Sequence, residues 1–211
     1  MSNTELIPAT TGRLMGSSVK LSLPAGDLLD LLTGAIIATH KDKSLPTLTG
    51  IYLVSDGETL TATATDRYRL ITGKVKAVGS PFTALLQNTD AAKVIAALKP
   101  IAKRNDHRTI SLELGTNELL VITPESTFTF RLLDWTFPPY EHLLEENKQD
   151  TGVIAMNPKF LGDFAKVPGM SDSIPMRLTF QGSNKPVLVG LGQGGDSVQW
   201  RALLMPMRYS S

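Results

Sequence analysis

The sequence predicts an α+β fold built from three copies of a β-α-β-β-β unit. Three observations support this prediction. The same order of elements recurs about every 60 to 70 residues, each copy contains one stretch with apolar residues at helical spacing, and short alternating segments follow that stretch. We expect the first two copies to form a domain at 19–144 and the third copy to form a half domain at 151–211.

The first copy opens with an alternating strand at 19–23. Leucine, alanine and isoleucine residues at helical spacing then predict a helix at 24–39, where Asp27 is placed to accept hydrogen bonds from the free amides near the helix start. Asp56-Gly57 is typical of a tight hairpin turn, because such a turn requires positive φ. The three strands that complete this copy are predicted at 49–54, 60–65 and 69–75.

The second copy opens with a strand at 82–86 and continues with a helix at 90–98. Asn88 and Thr89 are both candidates for the residue that caps this helix. Gly115 and Pro124 belong to short segments with turn chemistry, which separate the strands that follow. Those strands are predicted at 109–114, 118–123 and 127–133.

The third copy has the same order of elements. Its strand is predicted at 152–156 and its helix at 158–165, where Pro158 fits the first helical turn. Glycines at 192–195 indicate a loop rather than a phosphate-binding motif, because no helix follows them. The remaining strands are predicted at 176–180, 187–192 and 198–205.

Two segments fall outside the copies. Residues 1–18 are rich in small polar side chains and predict a mobile leader. The acidic stretch at 145–150 predicts a linker between the domain and the third copy, and the basic stretch at 99–108 predicts a second solvated connection.

The composition excludes several classes of function. The chain has 211 residues, no cysteine and three widely separated histidines, so we expect no disulfide, no metal and no cofactor. It also lacks a secretory signal and an apolar run long enough to span a membrane, which predicts a cytoplasmic protein. A net charge of +1 is too small for a strongly basic nucleic-acid binder.

The sequence predicts a protein that is not an enzyme. Asp66 and Asp134 are the best candidates for an acid-base pair, but no third group accompanies them. His107 and His142 each lie in a polar connection, where an isolated histidine is usually inert. Motifs of hydrolases, phosphate-binding loops and zinc peptidases do not occur.

Three segments resemble the bacterial β-type sliding clamps, the processivity factors of DNA polymerase. Leu45-Pro46-Thr47-Leu48-Thr49-Gly50-Ile51-Tyr52-Leu53, with Ala64-Thr65-Asp66-Arg67-Tyr68-Arg69-Leu70, is similar to the middle-domain signature of that family. Phe137-Pro138-Pro139-Tyr140-Glu141-His142-Leu143-Leu144 is similar to the segment that closes the middle domain. Leu203-Leu204-Met205-Pro206-Met207-Arg208 is similar to the family's C-terminal tail. The resemblance implies a DNA-clamp fold with one full clamp domain and a half domain.

The resemblance also implies a pocket for partner peptides between the two parts of the chain. Leucine and methionine side chains there would accept a Leu or Phe anchor of a short peptide. Arg67 departs from the family, which usually has glycine at this position, and is either a contact for an acidic peptide or a solvated arginine. The implied pocket residues are Leu48, Thr65, Arg67, Tyr68, Arg69, Leu70, Pro138, Leu143, Leu203, Leu204, Met205, Pro206 and Met207.

Sliding clamps contact DNA phosphates through the helices that line their ring, which makes the basic residues on or after the helices candidate DNA contacts. These residues are Lys41, Lys43, Lys93, Lys99, Lys103, Arg104, Lys159 and Lys166. The near-neutral charge predicts weak, salt-dependent and non-specific binding to double-stranded DNA.

The resemblance therefore implies a clamp that forms a homo-oligomer, a dimer or a tetramer, around DNA and tethers a polymerase or other partners. The shortened chain suggests a phage-encoded protein. An alternative is an interaction protein that keeps the peptide pocket, forms no ring and competes with a full-length clamp. A third hypothesis, an enzyme on an unrelated scaffold, requires a reaction centre that the sequence does not contain.

Overall fold

The computed structural model describes residues 19–42, 44–102, 108–144, 154–171, 173–182, 184–192 and 198–208. Within these ranges the chain forms two antiparallel sheets and three α-helices, which confirms the predicted α+β class. The leader at 1–18 and the linker at 145–150 lie outside the described residues. The domain boundaries near 144 and 151 therefore remain predictions.

The first two copies contain the predicted elements in the predicted order, and the third contains its predicted helix and the three strands that follow it. The first consists of β1 (Val19–Pro24), α1 (Ala25–Ala35), β2 (Gly50–Asp56), β3 (Thr59–Thr65), β4 (Arg69–Lys76) and the short β5 (Val78–Gly79). The second consists of β6 (Pro81–Gln87), α2 (Asn88–Ala102), β7 (Thr109–Leu114), β8 (Glu118–Ile122) and β9 (Thr127–Arg131). The third consists of α3 (Pro158–Phe164), β10 (Arg177–Thr179), β11 (Val187–Leu191) and β12 (Gln199–Leu204).

Short 3-10 helices extend two of the connections, at Ile36–Ala38 and Pro46–Thr49, and a third lies at Glu141–Leu144. The strand predicted at 152–156 is wrong for the part that the structure describes, because Ala155 forms only an isolated bridge to Met207. None of the helices in the described part of the chain has the length and apolar run that a membrane span needs.

The hairpin between β2 and β3 forms as predicted. Gly57 has a φ of +96°, and the Asp56 carboxylate accepts hydrogen bonds from the amides of Glu58 at 2.9 Å and Thr59 at 2.7 Å. These bonds, together with one from the Thr59 hydroxyl, lower the pKa of Asp56 to about 2. The turn is thus held by an aspartate that is ionised throughout the neutral range.

The helix starts differ from the predictions. Pro24 is the N-cap of α1, and no side chain caps this helix, so the role predicted for Asp27 is wrong. Asn88 is the first residue of α2, and its side-chain amide donates to the carbonyl of His40 at 3.2 Å. A cap that was not predicted occurs at α3, where the Asn157 carboxamide accepts from the amide of Lys159 at 3.0 Å.

The first two copies exchange their first strands. The five-stranded sheet has the order β5-β1-β7-β8-β9, so the first strand of copy one pairs with the strands of copy two. The seven-stranded sheet has the order β10-β11-β12-β4-β3-β2-β6, so the first strand of copy two pairs with the strands of copy one. Copy three joins the same sheet through β12, which runs antiparallel to β4.

The main core lies between the helices and the inner sides of both sheets, and Trp200 of β12 is one of the side chains that the third copy contributes to it. Its indole N–H donates to the carbonyl of Pro168 at 3.1 Å. Its ring packs against Gly34 of α1 and Gly73 of β4, where an added Cβ would lie 2.1 Å and 2.4 Å from ring carbons. Glycine is therefore required on both sides of this ring because the backbone approaches it so closely.

We expect Gly34→Ala to lower the free energy of unfolding by about 1–3 kcal/mol, because the new methyl group forces the buried Trp200 ring to move. Gly26→Ala in the same helix is the matched control, since no atom lies within 4 Å of its added Cβ. That change should stabilise the protein by about 0.4–1 kcal/mol. Urea unfolding measures both values, and an equal response of the two variants would contradict the close contact with Trp200.

Candidate functional site

A small apolar cluster lies on the outer face of the seven-stranded sheet, the face opposite to the main core. Strand register places Leu188, Leu203, Leu70 and Thr65 side by side across β11, β12, β4 and β3. A second row, one step along the strands, is formed by Arg201, Thr72, Thr63, Tyr52 and Leu85. The pairing of β12 with β4 thus brings leucines from two distant parts of the sequence into one surface.

Residues 137–144, here called the covering segment, pack on this outer face. Phe137 stacks on Tyr52 with ring centres 5.0 Å apart, and Tyr140 meets Phe137 edge-on at 5.9 Å. The Thr63 hydroxyl donates to the Tyr140 hydroxyl at 2.9 Å. Burial of the Tyr140 side chain raises the pKa of its phenol, so the hydroxyl stays neutral and keeps its hydrogen bond.

The covering segment is also tied to the third copy. Arg201 of β12 donates to the carbonyl of Leu144 at the end of the segment. Leu144 is buried in the outer-face cluster, and Leu143 packs partly against it. The covering segment therefore packs on the outer face of the sheet and, through Leu144, also contacts the third copy.

The turn between β3 and β4 forms one edge of the outer-face cluster. The Asp66 carboxylate accepts from the amides of Tyr68 at 3.1 Å and Arg69 at 3.0 Å, and the Thr65 hydroxyl donates to the carbonyl of Arg69 at 2.8 Å. Arg67 lies in this turn with a φ of +75°. That conformation explains why glycine suits the position in the family, and the arginine side chain is exposed to solvent.

The residues after β12 continue along this edge. The amide of Met205 donates to the carbonyl of Tyr68 at 2.9 Å, and the amide of Met207 donates to the carbonyl of Ala155 at 2.8 Å. The side chains remain accessible: Tyr68 is 53% exposed, Met205 37% and Met207 53%. We call Tyr68, Met205 and Met207 the exposed strip. It is an accessible apolar surface next to a buried apolar cluster.

The structure divides the predicted pocket residues among several environments. Leu70, Leu143 and Leu203 belong to the outer-face cluster, with Thr65 beside them, and the exposed strip, Arg67, Pro138 and the half-buried Pro206 lie at the surface. Leu48 is buried in the 3-10 helix before β2. Leu204 is fully buried in the main core, since its side chain points to the other side of β12 from Leu203, so it contributes to folding and not to a surface.

Arg69 also points to the helix side of β4. Its guanidinium donates to Asp66 at 3.2 Å and to Asp163 of α3, and it lies 4.7 Å from the centre of the Phe160 ring. Lys166 completes the group by donating to Asp163 at 2.5 Å. Hydrogen bonds from Lys166 and Arg69 lower the pKa of the Asp163 carboxyl against the opposing effect of burial. Arg69 therefore holds α3 on β4, a role that the resemblance did not imply.

An open cleft lies on the helix side, between the end of α1, the start of α2 and the flank of α3 that carries Lys159 and Phe160. Tyr68 reaches this cleft as well and stacks on Phe160 at 5.9 Å. Lys41, Lys159 and Lys166 line it, so several predicted DNA contacts meet at one surface.

The other candidate DNA contacts are distributed along α2 or lie outside the described residues. Lys93 and Lys99 are exposed on α2, where Lys93 pairs with Asp90 at 2.7 Å. Lys43, Lys103 and Arg104 lie outside the described residues. Among the described residues, no group of three histidine or acidic side chains is placed to bind a metal.

Comparison with known proteins identifies the family. The model of the central domain of the DNA polymerase III β subunit matches residues 22–139, which is more than half of the chain. The chain belongs to the bacterial sliding-clamp family. Because sliding clamps are processivity factors without catalytic activity, family membership confirms the prediction that the chain is not an enzyme.

The match to individual clamps is distant and partial. The β sliding clamp homologue GriR of Streptomyces muensis is 30% identical over 132 residues, which are 58% of this chain and 33% of that protein. The chain therefore matches about a third of the length of its curated relatives. The relatives compared are bacterial, and they give no support to a phage origin.

Solved clamp structures share the fold over almost the whole chain. The polymerase III β subunit of Thermotoga maritima superposes with a TM-score of 0.78 at 16% identity, covering 96% of this chain and 69% of that one. A Pseudomonas aeruginosa sliding clamp bound to griselimycin superposes with a TM-score of 0.69 at 19% identity, covering 94% and 68%. The predicted DNA-clamp fold is confirmed by these superpositions.

We expect Asp163→Asn to lower the free energy of unfolding by about 1–3 kcal/mol at pH 7, because Arg69 loses a charged partner in a largely buried place. The pKa of Asp163 is lowered in the folded protein, so its contribution is present above the unfolded pKa near 4 and is lost as the pH falls below that value.

The measurement is urea unfolding of the wild type and of Asp163→Asn at pH 7 and near pH 3. The difference between the two proteins should shrink at the lower pH. A difference that stays constant between the two pH values would contradict the assigned ion pair.

Proposed function

We propose that this chain acts as a sliding clamp, which binds short apolar peptide segments of replication proteins on its outer face and assembles with copies of itself around duplex DNA. The observation that carries the proposal is the exposed strip of Tyr68, Met205 and Met207 beside the cluster of Leu70 and Leu203. The three motifs that resemble the clamp family converge on this surface although they are far apart in the sequence.

The chemistry of the surface suits a peptide anchor. Methionine side chains are flexible and polarisable, so they adapt to different apolar partners. The backbone of the β3–β4 turn and of the tail is held by hydrogen bonds, so little ordering is needed when a ligand binds. A peptide with Leu or Phe side chains would cover Tyr68 and the two methionines.

A structurally similar clamp binds a ligand. The Pseudomonas aeruginosa sliding clamp named above was solved bound to griselimycin. We infer that this chain binds a ligand of the same kind at the exposed strip, with Thr65 and Arg67 at its border.

The helix side supports the proposed contact with DNA. Lys41 and Lys159 face the open cleft, and Lys99 is exposed on α2. Such cations can contact phosphates without reading bases, which a protein needs if it is to move along DNA. The total charge of +1 favours weak binding, and it also favours the second candidate function, a peptide-binding protein that forms no ring.

We expect Met207→Glu to weaken griselimycin binding at least tenfold, or by about 1.4 kcal/mol, because a carboxylate would be desolvated by an apolar ligand. Isothermal titration calorimetry or a labelled ligand gives the dissociation constant. Val78→Glu is the matched control, since Val78 is an exposed apolar residue in the five-stranded sheet. Equal affinities for the two variants would rule out the exposed strip as the site.

We expect the double variant Lys99→Gln, Lys159→Gln to reduce the salt dependence of binding to double-stranded DNA. If both lysines contact phosphates, the slope of log K against log salt concentration falls by roughly 2. The control is Lys74→Gln, Lys76→Gln, which removes the same charge from exposed positions of β4.

Fluorescence anisotropy across a salt series measures these slopes. Equal slopes for the two double variants would place the DNA contact elsewhere. A protein that binds griselimycin but shows no DNA binding at low salt would favour the function without a ring.

A further inference from the structure

The first strand of each complete copy has two neighbours. One neighbour belongs to the other copy: β1 pairs with β7, and β6 pairs with β2. In both ladders the last residue before the helix pairs with the first residue of the partner strand, as in Pro24↔Thr109 and Gln87↔Gly50. The same register rule therefore applies to both halves of the domain.

The other neighbour is the tail of the same copy. After β4, the short strand β5 returns to pair with β1. After β9, the amide of Leu133 donates to the carbonyl of Leu85 at 2.9 Å. The acceptor Leu85 lies three residues before the start of α2. The tail therefore contacts the first strand at a fixed number of residues before the helix.

In the third copy, the segment before the helix pairs with the tail of its own copy. Among the described residues, it has no partner strand from another copy. The amide of Met207 in its tail donates to the carbonyl of Ala155 at 2.8 Å, and Ala155 again lies three residues before the start of its helix. Among the described residues, no strand pairs with the other side of this segment. At the far end of the sheet, the outer edge of β10 is likewise without a partner in the described part of the chain.

One side of α3 is also accessible. Lys159, Phe160, Asp163 and Lys166 border the cleft toward α1 and α2. Leu161 is half-buried and packs against the main core, and Ala165, the residue directly after α3, is exposed. Neither borders the cleft, and because they are four residues apart they lie on the same side of α3 and its last turn. In the complete domain the corresponding helices α1 and α2 pack against each other.

We propose that a second copy of this chain completes the third unit by the strand exchange seen between the first two copies. Residues 154–157 of one chain pair with β10 of the other chain, and the reverse pairing occurs across a two-fold axis. The register rule gives Asn157 opposite Arg177, Met156 opposite Leu178 and Ala155 opposite Thr179. The two α3 helices then pack through Leu161 and Ala165.

Continuity of the sheet supports this partner. The third copy is already joined to the seven-stranded sheet through β12, so the new strand extends an existing sheet at its free end. Residues 154–157 are uncharged and β10 carries a single charge, at Arg177, so the pairing brings no like charges together. The inference rests on the proposed self-assembly and assigns it to one surface.

Engineered cysteines test the register in a chain that has no cysteine of its own. Residues directly opposite in an antiparallel pair have Cα atoms about 4.5–5.5 Å apart, which a disulfide can bridge. We expect Ala155→Cys with Thr179→Cys to give a disulfide-linked dimer on mild oxidation. The control, Ala155→Cys with Arg177→Cys, is two residues out of register and should cross-link much more slowly.

A pair of helix variants tests the same interface by mass. Ala165→Arg places a large cation on the proposed contact flank of α3. Gly162→Arg is the matched control, because Gly162 is exposed and no atom lies within 4 Å of its added Cβ. Light scattering after size exclusion should show that Ala165→Arg halves the mass of the assembly and that Gly162→Arg leaves it unchanged.

The outcomes separate this inference from the proposed function. An assembly that forms without the Ala155–Thr179 cross-link and is insensitive to Ala165→Arg overturns the inference and leaves the proposed self-assembly intact. A wild-type monomer at all concentrations overturns both, and griselimycin binding then reports on the peptide surface alone. A cross-linked dimer whose mass falls by half with Ala165→Arg is the expected result.

Discussion

The pairing of β12 with β4 is the constraint on which the rest of the structure depends. It joins the third copy to the domain by a continuous ladder of backbone hydrogen bonds from Lys74↔Gln199 to Arg69↔Leu204. Side chains alternate across this ladder, so it serves two surfaces at once. Trp200 and Leu204 enter the main core, while Arg201 and Leu203 reach the outer face. The position of the third copy, the apolar cluster and the tail with its methionines all follow from one register.

The β3–β4 turn links the outer face of the seven-stranded sheet to its helix side. Tyr68 accepts a hydrogen bond from Met205 through its carbonyl and stacks on Phe160 of α3 through its ring. Arg69, the next residue, holds α3 through Asp163. A ligand on the exposed strip therefore contacts a residue that also touches the helix side. The proposed peptide surface and the cleft with its lysines share a turn that is held by the Asp66 carboxylate.

Much of the fold could be predicted from the sequence because its elements are strongly patterned. Strand alternation and helical spacing placed every described helix and nearly every strand within a few residues, and Asp56-Gly57 indicated its hairpin directly. Element ends were less accurate: α2 continues past Leu98 to Ala102, although Pro100 lies inside it and lacks the amide that would donate to the carbonyl four residues before. The exchange of β1 and β6 between copies could not be predicted, because periodicity gives no information about which strands pair.

The candidate site could be predicted only in part for the same reason. The motifs indicated which segments meet, but a strand motif contains residues that point to opposite faces. The resemblance implies that Leu204 and Arg69 line the pocket with Leu203 and Leu70, but the strand register directs them to the core and to α3. Tyr52, Phe137 and Tyr140 lie within the motifs, but the resemblance implies no site role for them. For Tyr52, its place between the apolar Ile51 and Leu53 is a signal in the sequence that it faces the outer side of the sheet.

The incomplete third copy follows from how this fold builds a domain. A first strand leaves its own copy and enters the sheet of another, as β1 and β6 do, so a single copy cannot satisfy both its first strand and the edge of its second strand. Two copies in one chain satisfy each other. In the described part of the chain, the third copy leaves the segment at Ala155 and the outer edge of β10 without a strand from another copy. Both features belong to the same unit, so two such units can complement each other across a two-fold axis.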